Sequence, residues 1–259
     1  MLLKDKVIVI TGGAQGIGRE CAIAYAAHGA KVVVLDKLEQ SPNEAPGTLP
    51  FTCRYIRCDV SDVAEVEMAF KQILDQFSKI DAIHNNAGIA NPAAALHDTS
   101  MEEWEQLMNI NVKSVFLTTK FGIGALKKSR GSILNTSSLV GEIGQEMHAA
   151  YTATKGAMNA LAKSMALDYA ADGIRVNAIA PAGVWTPMLR RWNSEQLLPT
   201  QMENYLQQIH PLGYCPEGDV IADAAVFLIS DMARFITGCI LPVSGGAELG
   251  YRRILQAKD

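Results

Sequence analysis

The chain of 259 residues is short of aromatic side chains, at 7%, and of cysteine, with five. Cys21, Cys53, Cys58, Cys215 and Cys239 are odd in number and show neither CxxC spacing nor a histidine pairing suited to zinc. That pattern excludes a disulfide framework and a structural zinc site, and reads as reduced thiols of a cytoplasmic protein. His28, His84, His97, His148 and His210 lack ligand spacing, so they are expected on the surface or in loops, with no metal implied. No dense Lys/Arg run accompanies the net charge of −4, which removes the footprint that a nucleic-acid binder needs. Apolar runs are strand-length and interrupted, well below the roughly 20 residues of a spanning helix, so no membrane partner is expected. The amino terminus enters a strand pattern at once and carries no recognisable secretion signal.

What is present is a composition 49% hydrophobic and 19% charged, enough to bury a large core. Short β-branched runs at Val7–Ile10, Val32–Leu35, Tyr55–Cys58, Ala82–Asn85, Ser132–Thr136, Arg175–Ile179 and Ile240–Val243 read as strands. Helical patterns at Gly16–His28, Val63–Phe77, Met101–Lys127, Ala149–Ala170 and Val220–Ile229 lie between them, and Glu39–Pro50 reads as a loop. Such alternation predicts an α/β, Rossmann-type fold: a doubly wound parallel sheet of about seven strands with helices on both faces. No repeat or linker divides the chain, so residues 1–259 are expected to form a single domain.

Between the first strand and first helix lies Thr11-Gly-Gly-Ala-Gln-Gly-Ile-Gly18, with Gly12, Gly16 and Gly18 spaced as TGxxxGxG. Glycine admits backbone angles closed to other residues and lets a pyrophosphate approach the positive end of the helix. Gln15 and Ile17 complete that cofactor-binding turn. Asp36 ends the second strand, where a carboxylate accepts hydrogen bonds from the adenosine ribose hydroxyls and repels a 2′-phosphate. NAD is therefore expected over NADP, with the adjacent Lys37 read as a solvated side chain.

Several further segments, taken with that turn, resemble the short-chain dehydrogenase/reductase superfamily: Asp59-Val60, Asn85-Asn86-Ala87-Gly88, Asn111, Ser137-Ser138 and Tyr151-Thr-Ala-Thr-Lys155. They occur in the family's order over most of the chain. The resemblance implies that Asp59, with Val60, contacts adenine, that Asn86, Ala87 and Gly88 steady the sheet and touch adenosine, and that Thr186 meets the nicotinamide amide. Pro181-Ala182-Gly183 departs from the family's usual Pro-Gly, while Val184 and Thr186 keep their usual places; Pro181, Val184 and Thr186 are expected to contact the cofactor.

Tyr151 and Lys155 are spaced i, i+4, so a helix puts them on one face. A phenol titrates near 10; a neighbouring ammonium and a charged nicotinamide are expected to favour its ionised form, making Tyr151 a proton donor and acceptor near neutral pH. By the resemblance, Lys155 also holds the nicotinamide ribose, Ser138 holds the substrate oxygen, and Asn111 holds a proton-relaying water; Ser137 competes with Ser138 for its role. Trp185–Pro211 falls where the family places a mobile substrate lid, with Trp185, Met188, Leu189, Trp192, Leu197 and Leu198 as candidates for an apolar cover and ordinary helix packing as the alternative.

Ser137–Gln145, Val184–Met188 and Ser244–Tyr251 are similar to a branch of the superfamily acting on L-fucose-like sugars and hydroxysteroids. That similarity implies a sugar or cyclic alcohol substrate oxidised with NAD and a pocket including Gln145, Trp185 and Trp192. It also implies a homotetramer, with a dimer second, and residues Arg252–Asp259 are expected either to be disordered or to reach a neighbouring subunit. Two rivals keep the nucleotide site: epimerisation or dehydration with retained NAD, and a non-catalytic NAD-sensing regulator, which has no use for Asn111, Ser138, Tyr151 and Lys155 together.

Overall fold

A computed structural model describes residues 1–38 and 53–250 of the chain. The loop expected at Glu39–Pro50 and the tail Arg252–Asp259 lie outside the described residues. Seven strands, β1 (Val7–Thr11), β2 (Lys31–Asp36), β3 (Cys53–Arg57), β4 (Ala82–Asn85), β5 (Ser132–Thr136), β6 (Arg175–Pro181) and β7 (Ile240–Val243), form one sheet. All neighbours are parallel, in the order β3-β2-β1-β4-β5-β6-β7. The order reverses between β1 and β4, which opens a crevice at their carboxyl ends where ligands of open α/β sheets bind.

The period-2 alternation of the strands divides the core into two layers. Val9, Val33, Leu35, Ile83, Ile133 and Val176 face one side and pack on α2 (Val63–Phe77), α4 (Ser114–Ser129) and α6 (Ala149–Asp168). Ile8, Ile10, Val32, Val34, Ala82 and Leu134 face the other, against α1 (Gly16–Ala27) and α9 (Gly218–Ile229). Both faces of every central strand are thus buried, which is why these strands read as continuous apolar runs.

Helix starts follow local chemistry. Asp62 caps α2 by accepting from the Glu65 amide, and Ser100 and Glu103 form a reciprocal capping box at α3 (Met101–Met108). The helix expected over Met101–Lys127 is not continuous: a π turn at Asn109–Lys113 separates α3 from α4. After β6 the chain forms α7 (Pro187–Ser194), capped by Thr186 with Pro187 in its first turn, and α8 (Pro199–Gln208). α5 (Val140–Ile143) is a single turn between β5 and α6. Two of the histidines expected at the surface or in loops are buried instead: His84, 0% exposed on β4, and His210, 1% exposed after α8. Buried polar groups are ordinarily hydrogen-bonded: His84 is bonded at both ring nitrogens, whereas His210 is bonded through Nδ1 to the Leu206 carbonyl.

Candidate active site

The crevice over β1 and β4 is built first by the glycine turn. Gly12 has φ of +65°, and a Cβ there would lie 2.8 Å from the Ala87 Cα. A Cβ at Gly18 would overlap the Gly12 carbonyl oxygen and the Asn86 side-chain nitrogen. These two positions let α1 start directly under the β4 loop. Gln15 precedes the helix and offers no side-chain cap, and the first turn has no acidic residue, so its amides face the crevice without a built-in anion. A nucleotide pyrophosphate fits that arrangement.

The walls of the cradle are tied to one another. Asn86 donates from Nδ2 to the carbonyls of Thr11 (3.2 Å) and Gly12 (3.1 Å), and the amides of Asn86 and Ala87 both donate to Thr11 Oγ1 at 3.0 Å. Asp36 accepts from the Ala14 amide (3.0 Å) and the Leu38 amide (3.2 Å), so its carboxylate braces the turn from the end of β2. Asp59 accepts from the amide and hydroxyl of Ser61. Partial burial pushes its carboxyl up, but those bonds together with Lys37 and Arg57 hold it below its ordinary value. Val60 is buried beside it, and a cavity of about 310 Å³ opens over Lys37, Asp59, Ser61 and Asn109.

At the other end of the crevice, α6 carries Tyr151 and Lys155. Lys155 is 4% exposed; its Nζ lies 5.6 Å from the centre of the Tyr151 ring and donates to the Thr136 carbonyl at 2.8 Å. Burial pushes the Lys155 ammonium down to about 8. Burial likewise pushes the Tyr151 phenol up to about 12, opposed only by its hydrogen bond to Ser138. This corrects the expectation that Lys155 brings Tyr151 toward neutrality: the amine is committed to a backbone carbonyl, and desolvation of the phenol is the larger effect.

Ser137 and Ser138 separate cleanly. Ser137 is buried and donates to Asn159 Oδ1 at 2.5 Å and the Lys155 carbonyl at 3.2 Å, pinning β5 to α6. Ser138 is the one beside the Tyr151 hydroxyl. Asn111, fully buried in the π turn, grips Ile89 from both sides: its Oδ1 accepts from the Ile89 amide and its Nδ2 donates to the Ile89 carbonyl, each at 2.9 Å. Nδ2 also donates to Thr154 Oγ1 at 3.0 Å. A Cβ on Gly88 would lie 3.3 Å from Asn111 Oδ1 and 3.6 Å from Lys155 Nζ, which places those two side chains under the same residue.

The structure therefore brings Asn111, Gly88, Ser138, Tyr151 and Lys155 together, and Gly12, Gly18, Asn86 and Ala87 beside one another. Thr186 reaches the turn, its side chain 3.4 Å from a Cβ built on Gly16, and Pro181 and Val184 are buried at the end of β6. Trp185 lines a cavity of about 440 Å³ with Gln15, Gly16, Arg19 and Arg190, and the Arg190 guanidinium carbon lies 5.2 Å from the centre of its ring. Gln145 is exposed, Trp192 is half-buried, and Met188, Leu197 and Leu198 are exposed. Sequence reasoning gave no role to Thr11, Thr136 or Thr154, which hold the turn, the lysine and the asparagine; a hydroxyl at the carboxyl end of a buried strand was the available signal for the first two. Among the described residues no group of three or more His, Cys, Asp or Glu is placed to hold a metal ion, and no helix is long and apolar enough to cross a membrane.

Residues 12–248 match a family model described as enoyl-(acyl carrier protein) reductase. L-fucose dehydrogenase of Bos taurus is 40% identical over 248 residues, covering 96% of this chain and 91% of that protein. A 2,5-dichloro-2,5-cyclohexadiene-1,4-diol dehydrogenase of Sphingobium indicum is 38% identical over 246 residues, covering 94% and 97%. The ligand-free structure of Thermoplasma acidophilum aldohexose dehydrogenase superposes with a TM-score of 0.88 at 32% identity, covering 99% of this chain and 98% of that one. The chain thus belongs to the short-chain dehydrogenase/reductase family, and is an oxidoreductase acting on CH–OH groups whose fold implies a nicotinamide cofactor.

Proposed function

We propose that this chain is an NAD-dependent dehydrogenase that oxidises a sugar hydroxyl, with C1 of an L-fucose-like aldose as first substrate. The convergence of Ser138, Tyr151, Lys155 and Asn111 at the far end of the crevice from the glycine turn carries this reading. The bound nicotinamide supplies the hydride acceptor. Ser138 donates to the substrate oxygen and holds it against the Tyr151 oxygen. In its ionised form Tyr151 takes the substrate hydroxyl proton as the C–H bond breaks, and Lys155 keeps positive charge under the ring. Asn111, by fixing Ile89 and Thr154, holds the path along which that proton returns to solvent.

NAD is preferred because the Asp36 carboxylate, at the end of β2 and braced by the Ala14 and Leu38 amides, would accept from ribose hydroxyls and repel a 2′-phosphate. Gly12, Gln15, Gly16, Ile17 and Gly18 take the pyrophosphate, Asp59 and Val60 the adenine, and Asn86, Ala87 and Gly88 the adenosine. Pro181, Val184 and Thr186 take the nicotinamide. Trp185–Pro211 acts as a lid, with Gln145, Trp185 and Trp192 bordering the substrate pocket when it closes. The protein works in the cytoplasm as one folded domain, assembled as a homotetramer.

A cyclic secondary alcohol is the second reading, favoured by the similarity to a cyclohexadiene-diol dehydrogenase. Absorbance of NADH with purified protein, NAD or NADP, and a panel of L-fucose, other aldoses, estradiol and small cyclic alcohols separates the readings. NADH formed with a sugar and lost in Tyr151→Phe supports the first. Activity confined to cyclic alcohols moves the substrate to the second, and tight NAD binding without turnover removes both.

A further inference from the structure

A chain of buried hydrogen bonds runs behind the cofactor turn, through a residue that the chemistry above does not use. The Tyr25 hydroxyl lies 2.9 Å from His84 Nδ1, and His84 Nε2 lies 2.8 Å from Thr136 Oγ1. Thr136 Oγ1 lies 3.1 Å from Asn86 Oδ1. Tyr25 and His84 are 0% exposed and Thr136 is 7% exposed. The chain thus spans α1, β4, β5 and the loop that closes the glycine turn.

The direction of every bond is determined from one end. Carbonyls only accept, so Asn86 must present its Nδ2 to Thr11 and Gly12, leaving Oδ1 to accept. Thr136 must then donate its single hydroxyl proton to Asn86, and can only accept from His84. Nε2 of His84 must carry a proton. With the ring neutral, Nδ1 is an acceptor, and Tyr25 must donate to it. Burial holds the ring neutral, its imidazolium pushed down to about 3. The Cys21 thiol, hydrogen-bonded to Tyr25, ends the chain on α1.

We infer that His84 is a positioning residue, locked as the neutral Nε2–H tautomer, that fixes the cofactor turn and the catalytic lysine through Thr136. One Thr136 residue serves both: its hydroxyl orients Asn86, whose amide holds the Gly12 carbonyl, and its own carbonyl accepts from Lys155 Nζ. With His84 in place the Thr136 hydroxyl has one allowed orientation. Without it the hydroxyl is no longer held in that orientation, and Asn86 keeps a less fixed partner opposite the amide that faces Gly12. The inference rests on the reading of that turn as a nicotinamide nucleotide site.

The test has two readouts. In protein labelled with ¹⁵N-histidine, long-range proton–nitrogen correlation spectra, assigned by loss of one signal set in His84→Leu, should show His84 with a protonated Nε2 and a bare Nδ1, unchanged from pH 5 to pH 9. An Nδ1–H tautomer, or titration in that range, overturns the inference. By calorimetric titration, Thr136→Val should bind NAD about tenfold more weakly, the effect of one buried hydrogen bond, and Tyr25→Phe should weaken it by less while keeping the fold. A residue that merely packs would lower the melting temperature and leave NAD affinity untouched, and that result also overturns the inference. Failure of the wild-type protein to bind either nicotinamide nucleotide is different: it defeats the reading of the turn, whereas an unchanged affinity in Thr136→Val defeats the relay alone.

Discussion

Replacing Lys155 by methionine should raise the stability of the protein at neutral pH while abolishing turnover. Its ammonium is buried and pushed from 10.5 down to about 8. At 1.36 kcal/mol per tenfold, keeping it charged in the folded state costs roughly 3 kcal/mol. Methionine fills similar volume without that cost but leaves the Thr136 carbonyl without its donor, which loses about 1 kcal/mol. The net gain at pH 7 is then about 2 kcal/mol, or roughly 4–8 °C in melting temperature for a chain of this size.

The sign follows from proton linkage. Below pH 8 the lysine is protonated in both folded and unfolded chains and the full cost is present. Between pH 8 and about 10.5 the folded protein gives up its proton first, so wild-type stability recovers as pH rises; above that the cost is gone. The assay is chemical denaturation of wild type and Lys155→Met at one protein concentration across pH 7 to 11. The variant should be the more stable at pH 7 and the less stable, by about 1 kcal/mol, near pH 11. A difference that does not change with pH, or a variant less stable throughout, would refute the reasoning, because the lysine would then not be paying for its burial.

Tyr151→Phe should reduce turnover by roughly 10²–10⁴-fold with NAD affinity retained, read by steady-state kinetics and calorimetry. Because burial pushes the phenol up to about 12, alcohol oxidation, which needs its ionised form, should accelerate as pH rises from 7 to 9. The reverse reduction, which needs the protonated form, should not fall over the same range; matched pH–rate profiles in the two directions check this. Ser138→Ala should lower kcat by about 10²-fold, whereas Ser137→Ala, losing bonds to Asn159 and the Lys155 carbonyl, should cost about 1 kcal/mol of stability and act on kcat only weakly. Asp36→Ala should narrow the preference for NAD over NADP, measured as the ratio of kcat/KM for the two.

The sheet was legible because strands buried on both faces must be written in β-branched residues, as in Val7–Ile10 and Val32–Leu35, whatever surrounds them. The glycine spacing was legible for a related reason, since Gly12 and Gly18 sit where a Cβ meets backbone. The π turn was not. Residues Met101–Lys127 keep a helical period throughout, and the break at Asn109–Lys113 answers to Asn111 gripping Ile89 from a different loop. The spacing of Tyr151 and Lys155 places them together but says nothing of the Thr136 carbonyl that claims the amine. His84 read as a surface or loop residue because its partners come from α1 and β5, and only the register of β4 against its neighbours brings them to it.

The central claim is that hydride leaves the carbon of a substrate alcohol while its proton goes to Tyr151. The most direct measurement uses an aldose deuterated at C1, incubated with the enzyme and NAD, with the reduced cofactor analysed by mass spectrometry. One deuterium per NADH, a slower rate than with the unlabelled sugar, and transfer slowed by roughly 10²–10⁴-fold in Tyr151→Phe are the predicted results. NADH formed without deuterium, or deuterium transfer undiminished in Tyr151→Phe, would contradict the account.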